Sequence, residues 1–138
     1  MIYALDTNII TAMLKDNEEV NDKADLVTNN GHELNIPPIV DYEIRRGLLA
    51  QKLEKTLKKF DRLEQTIDIG EFDLRVWRKA AQIYAELRKK GKPIGDDEAG
   101  DGDIFIAAYC IINGYILVTD NRKHFENIDG LNFENWKK

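Results

Sequence analysis

Two short apolar runs, each ending at an acid, constrain the fold of this chain more than any other feature. Ile2-Tyr3-Ala4-Leu5 runs straight into Asp6, and Tyr115-Ile116-Leu117-Val118-Thr119 runs into Asp120. A strand with one wet face alternates apolar and polar residues, whereas a continuous apolar run has both faces covered. After Asp6 the apolar period changes: Ile9, Ile10, Met13 and Leu14 recur at helical spacing, with Asp6 or Thr7 placed to cap the helix. Strands buried on both faces and separated by helices predict an α/β fold, with a parallel sheet sandwiched by helices.

The rest of the chain continues that alternation. A helix is expected over 18–30, closed by Gly31, and a strand over Glu33–Ile36. Pro37-Pro38 stops the strand and pre-sets a helix carrying Ile39, Ile44 and Leu48, with Glu43 in its second turn. A charged helix over 51–65 has Leu53, Leu57, Phe60 and Leu63 as its stripe. Thr66–Ile69 alternates as a strand. Val76, Ala80, Ile83, Tyr84 and Leu87 mark a helix over 71–90 that Gly91 ends. Lys92–Gly102 reads as a loop, Asp103–Asn113 as a helix buried on most sides, and Gly114 as its terminator. There is no repeat, low-complexity tract or linker, so 1–138 is expected to be one domain.

Composition removes several classes of function. A single cysteine, Cys110, excludes an internal disulfide and a cysteine-rich zinc site; two histidines, His32 and His124, exclude a three-histidine metal centre. No apolar run approaches the roughly 18 residues of a membrane span, and the opening residues do not read as a signal peptide. A cytoplasmic protein with no membrane partner is therefore expected. The net charge of −5 argues against a nucleic-acid partner. The charges are segregated, however: residues 1–43 hold nine acids and two bases, whereas 75–95 hold seven bases and one acid. The mean alone decides nothing.

Chemistry is expected where strands end. Parallel sheets bind ligands just beyond the carboxyl ends of their strands, and Asp6 and Asp120 both stand there. Glu43 and Asp103 lie near helix starts in apolar surroundings. Each acid alone serves equally well as a helix cap or a solvated charge. Four gathered together would repel one another unless a cation sat among them. Oxygen ligands without histidine or cysteine suit Mg²⁺ or Mn²⁺, which acidify water and brace the oxygens of a phosphodiester.

At this point the sequence resembles a known family. Leu5-Asp6-Thr7-Asn8, Tyr42-Glu43-Ile44-Arg45-Arg46-Gly47, Gly91-Lys92-Pro93-Ile94-Gly95, Asp103-Ile104-Phe105-Ile106-Ala107-Ala108 and Leu117-Val118-Thr119-Asp120-Asn121 through Phe125 occur in the order seen in PIN domains. Gly130-Leu131 and Glu134-Asn135-Trp136 complete the pattern of the VapC-type toxins of toxin–antitoxin pairs. The resemblance implies a three-layer α/β/α sandwich with a mainly parallel sheet of about five strands. It also implies a Mg²⁺- or Mn²⁺-dependent endoribonuclease that leaves 5′-phosphate and 3′-hydroxyl ends.

Carried over by motif, Asp6, Glu43 and Asp103 match the catalytic and metal-binding acids. Asp120 takes the fourth place, with Asn121 its competitor. Thr7, Asn8, Thr119 and Asn121 would orient those ligands from outside. Asp96, Asp97, Glu98 and Asp101 read as loop charges. The family further implies a VapB-type antitoxin and a homodimer or toxin–antitoxin hetero-oligomer, with the helices of 37–65 a candidate interface. RNA phosphates would meet Arg45, Arg46 and Lys52 beside Glu43, or the basic set at 88–92; both groups also read as solvated helix faces. Cys110 is expected in the core and His124 on the surface. Two other readings remain: a PIN-fold partner-binding module of weak activity, and a phosphoryl-transfer enzyme on a receiver-like sheet. Asp6-Thr7-Asn8 lacks the second acid that the latter needs.

Overall fold

The structure, a computed structural model, describes residues 1–94 and 101–137. Asp96, Asp97, Glu98 and Gly95 of the acidic loop lie outside the described residues. The elements are β1 (Ile2–Leu5), α1 (Thr7–Leu14), α2 (Glu18–Asn29), β2 (Glu33–Ile36), α3 (Pro38–Ala50), α4 (Glu54–Glu64), β3 (Asp68–Ile69), α5 (Leu74–Lys89), α6 (Gly102–Asn113), β4 (Ile116–Val118), α7 (Arg122–Phe125) and β5 (Phe133–Glu134).

The five strands form one parallel sheet in the order β3-β2-β1-β4-β5. The chain winds outward from β1 in one direction to β3, then crosses to β4 and continues the other way. Right-handed crossovers running in opposite directions put their helices on opposite faces. Accordingly α1 packs with α2 and α4, while α6 packs with α5 and α7; α3 touches both groups, through α1 and α6. The expected three layers follow. Ala4, Leu5, Ile36, Leu117 and Val118 are buried in the sheet, and Ile9, Ile10, Val40, Ile104, Ile106, Ala107 and Ala108 cover it from the helices.

Local chemistry explains where the elements start and stop. Asp6 caps α1, Asn17 caps α2 and Asp73 caps α5, each accepting hydrogen bonds from first-turn N–H groups. Gly114 ends α6 in the left-handed region, at φ 70°. Asp73 shifts the start of α5 from the expected 71 to 74. The turn at Lys52, whose φ is 55°, delays α4 to Glu54. β3 is shorter than the alternation suggested because the N–H groups of Thr66 and Ile67 both bond to Leu63 O, finishing the last turn of α4. Helix α7 and strand β5, four and two residues long, carry too little pattern to be read in advance. No helix among the described residues is long and apolar enough to cross a membrane.

Candidate active site

The strand order makes β1 and β4 the neighbours between which the winding reverses. Ligands of doubly wound sheets bind at that reversal. Register decides which side chains meet there. Leu5 pairs with Val118, and Asp6 N–H bonds to Val118 O at 2.9 Å. The residue opposite Asp6 is therefore Thr119, with Asp120 one position further on.

Asp6 is 3% exposed. Its Oδ2 accepts from Thr119 Oγ1 at 2.8 Å and from Asn8 Nδ2 at 3.4 Å, and its Oδ1 accepts from Thr7 N–H at 2.7 Å. Thr7 Oγ1 donates to Glu43 Oε1 at 3.3 Å, joining the first turn of α1 to the second turn of α3. Glu43 in turn lies against the start of α6: a Cβ built on Gly102 would sit 3.1 Å from Glu43 Oε2. Asp103 follows in the first turn of α6 and is hydrogen-bonded by His124 Nδ1 from α7. Three elements thus bring Asp6, Glu43 and Asp103 to one cavity of about 580 Å³, whose wall also includes Thr7, Asn8, Thr11, Lys15, Asn121 and Lys137.

The carboxylates feel one another. Burial raises the Asp6 pKa to about 6, opposed by the Thr119 hydroxyl and reinforced by the negative Asp103 and Glu43. Burial also raises Glu43, with Asp103 adding to the effect and Thr7 and Arg46 pulling it back. Such a group holds negative charge that hydrogen bonds only partly offset, and a divalent cation would offset most of it. The oxygen donors fit a hard ion such as Mg²⁺ in kind and charge. Among the described residues no three acid, histidine or cysteine side chains stand ready at metal-cage spacing. The fit therefore rests on donor chemistry and electrostatics.

The other expected residues fall in different places. Asn121 lines the cavity, and its N–H bonds to Thr119 Oγ1 at 3.0 Å. Asp120 is not among the lining residues; its carboxylate pairs with Lys137 Nζ at 3.0 Å, and its N–H bonds to Asn8 Oδ1 at 3.2 Å. Arg45 is held by Asp41, Asp61 and Glu64. Arg46 lies over the Tyr42 ring at 5.1 Å, and Lys52 occupies the α3–α4 turn. Asp101, Arg45, Arg46 and Lys52 do not line the cavity.

Sequence reasoning missed three side chains. His124, read as surface, is bonded to Asp103 because the short helix α7 packs on α6. Lys15 and Lys137 reach the cavity from the end of α1 and from beyond β5. No spacing rule links either lysine to the acids.

The chain is thus an α/β sandwich wound both ways from its first strand, with acids from three elements gathered at the point of reversal where such sheets bind ligands. The PIN-domain family model matches residues 3–131, and the chain belongs to that family, in its VapC branch. It is 32% identical to ribonuclease VapC2 of Rickettsia felis over 140 residues, covering all of both chains. It is also 30% identical to the tRNA(fMet)-specific endonuclease VapC of Shigella flexneri, across 97% of each chain. The solved VapBC2 complex of Rickettsia felis, bound to a promoter DNA fragment, has a chain that superposes with a TM-score of 0.89 at 30% identity, covering 99% of this chain and 100% of that one. Membership in this family displaces the receiver-like reading.

Proposed function

We propose that this protein is the toxin of a VapBC-type pair: an endoribonuclease that uses Mg²⁺ or Mn²⁺ and is restrained by a VapB-type antitoxin. The carrying observation is the convergence of Asp6, Glu43 and Asp103 on one cavity at the sheet's reversal point. Similarity across the whole length to VapC ribonucleases supports the reaction class, and the neighbouring VapBC complex supports the partner. RNA as substrate puts its place of action in the cytoplasm.

Asp6, Glu43 and Asp103 would hold the ion, with Asn121 beside them, and the bound ion supplies charge neutralisation and a more acidic water. The residues themselves do the positioning. Thr119, Asn8 and the Thr7 N–H fix both oxygens of Asp6, so that carboxylate cannot rotate away. Thr7 holds Glu43 toward α1, and His124 orients Asp103 from behind. Glu43, whose raised pKa brings it closer to neutral pH than a free glutamate, can take a proton from the attacking water at Oε2. In-line attack of that water on phosphorus expels the 3′-oxygen, leaving 5′-phosphate and 3′-hydroxyl ends. No covalent intermediate with the chain is required. Cys110 is fully buried and its thiol pKa is pushed up by that burial, so it plays no chemical part.

Purified protein, freed of any partner, is to be incubated with structured RNAs in Mg²⁺, in Mn²⁺ or in EDTA. Cutting in either metal that disappears in EDTA and in both Asp6→Asn and Asp103→Asn is the expected result. Cutting that persists in EDTA, or in both variants, would overturn the mechanism.

A further inference from the structure

An acidic site must still attract a polyanion, and its bound ion alone gives a narrow foothold. RNA affinity comes chiefly from side-chain cations that neutralise phosphates. Arg45, Arg46 and Lys52, the residues expected to do so beside Glu43, do not line the acids' cavity. Arg45 serves three carboxylates, and Lys59 bonds to Leu14 O and Asp16 Oδ1, each at 2.8 Å. Two other cations share the acids' own cavity: Lys15 and Lys137.

Their settings differ in a useful way. Lys15 caps the carboxyl end of α1, nine residues beyond Asp6, or about 13 Å along the helix. It is exposed and has no ion pair among the described residues; the adjacent Asp16 pairs with Lys59. Thr11 and Asn17 share its stretch of cavity wall and offer neutral hydrogen-bonding groups. Lys137 is pre-positioned. Trp136 before it is 6% exposed, with Nε1–H donating to Glu134 Oε1 at 2.8 Å, so the backbone there is anchored. Asp120 then holds the Lys137 ammonium at 3.0 Å, and Asp120 is itself tied to α1 through Asn8. An ammonium has three donors and the pair is partly exposed, so Lys137 can keep Asp120 and still contact a phosphate oxygen.

Resting on the ribonuclease reading, we propose that Lys15 and Lys137 form a backbone-phosphate subsite for the RNA flanking the scissile bond, with Asp120 as the residue that positions Lys137. The strand would cross the cavity from the acids toward the end of α1. The lysines act on binding, and Asp120 acts through Lys137.

Two readouts test this on the full chain. The first is anisotropy of a labelled single-stranded RNA in Ca²⁺ across a salt series. Lys15→Gln and Lys137→Gln should each flatten the slope of log affinity against log salt by about 0.7. Lys52→Gln should leave it unchanged. The second is steady-state cleavage in Mg²⁺. Each lysine variant should raise KM about five- to tenfold with kcat changed less than twofold, and Lys→Arg should restore it. Asp120→Asn should raise KM in the same way while the Mg²⁺ half-saturation stays fixed. Unchanged salt slopes and KM in both lysine variants, with RNA still cut, would overturn the subsite and leave the ribonuclease reading standing. A shifted Mg²⁺ requirement in Asp120→Asn at constant KM would overturn its positioning role. If the wild type cuts no RNA in either metal while the lysine-dependent slopes persist, the subsite stands and the ribonuclease reading falls.

Discussion

Asp6 carries two duties that conflict. As the cap of α1 it is buried and hydrogen-bonded; as the metal ligand proposed for it, it would have to hold charge beside Asp103 and Glu43. Its carboxyl ionises above pH 3.8 when unfolded but keeps its proton to about pH 6 in the fold. The folded state therefore binds more protons in that window, and stability falls as pH rises through it. Asp6→Asn should remove that penalty, raising metal-free stability by about 1–2 kcal/mol at pH 8. The gain should shrink as pH falls from 6 toward 4. Urea unfolding in EDTA across this range measures it, and a variant less stable than wild type at pH 8 would contradict the electrostatic account. His124 tests orientation at the same scale. His124→Ala should raise the Mg²⁺ needed for half-maximal cleavage about tenfold, because Asp103 loses the partner that aims it.

At the scale of elements, two contacts set where α3 and α6 lie, and with them Glu43 and Asp103. Helix α3 is pinned to α4 through Arg45, Asp61, Asp41 and Glu64. Glu64 Oε2 and Asp41 Oδ1 are buried without hydrogen-bond donors, and burial together with Asp41 raises the Glu64 pKa to about 7, against the pull of Arg45. The penalty of ionising Glu64 thus grows between pH 4.5 and 7. Glu64→Gln, whose amide can donate to Asp41, should stabilise the protein by about 1 kcal/mol above pH 7 and by little at pH 5. Thermal melts at the two pH values check the difference. Helix α6 is set against β3 by a close approach: a Cβ on Gly70 would lie 1.7 Å from Tyr109 Oη, which donates to the buried Asn35 Oδ1 at 2.5 Å. Gly70→Ala must displace that ring and strand the asparagine, costing about 2–3 kcal/mol. Chemical denaturation provides the measurement; a loss below about 0.5 kcal/mol would mean that the ring yields freely.

For the whole molecule, the net charge of −5 first suggested a poor nucleic-acid binder. That inference treated the acids as surface. Asp6, Glu43 and Asp103 belong to the cavity instead, and a bound cation would offset them while Lys15 and Lys137 share the same wall. Metal and fold should then be linked. Mg²⁺ at a hundred times its dissociation constant should stabilise the native state by about 2.7 kcal/mol. Differential scanning calorimetry should show the melting temperature rising with Mg²⁺ and returning to baseline with EDTA. In Asp6→Asn most of that response should be gone.

The strand–helix alternation, the parallel sheet and the three acids Asp6, Glu43 and Asp103 were legible in the chain itself. Each rests on local information: apolar runs, helical periods and an acid fixed at the end of a strand or the start of a helix. What the fold alone decided are relations between segments distant in sequence. The β1–β4 register set Thr119 opposite Asp6 and carried Asp120 one step on, to Lys137. Packing of α7 on α6 brought His124 to Asp103, and the end of α1 together with the segment after β5 placed Lys15 and Lys137 in the acids' cavity. Side-chain period in a strand is two, so one residue of register decides which group faces the site. No local pattern encodes that register; it is chosen when the sheet buries both its faces.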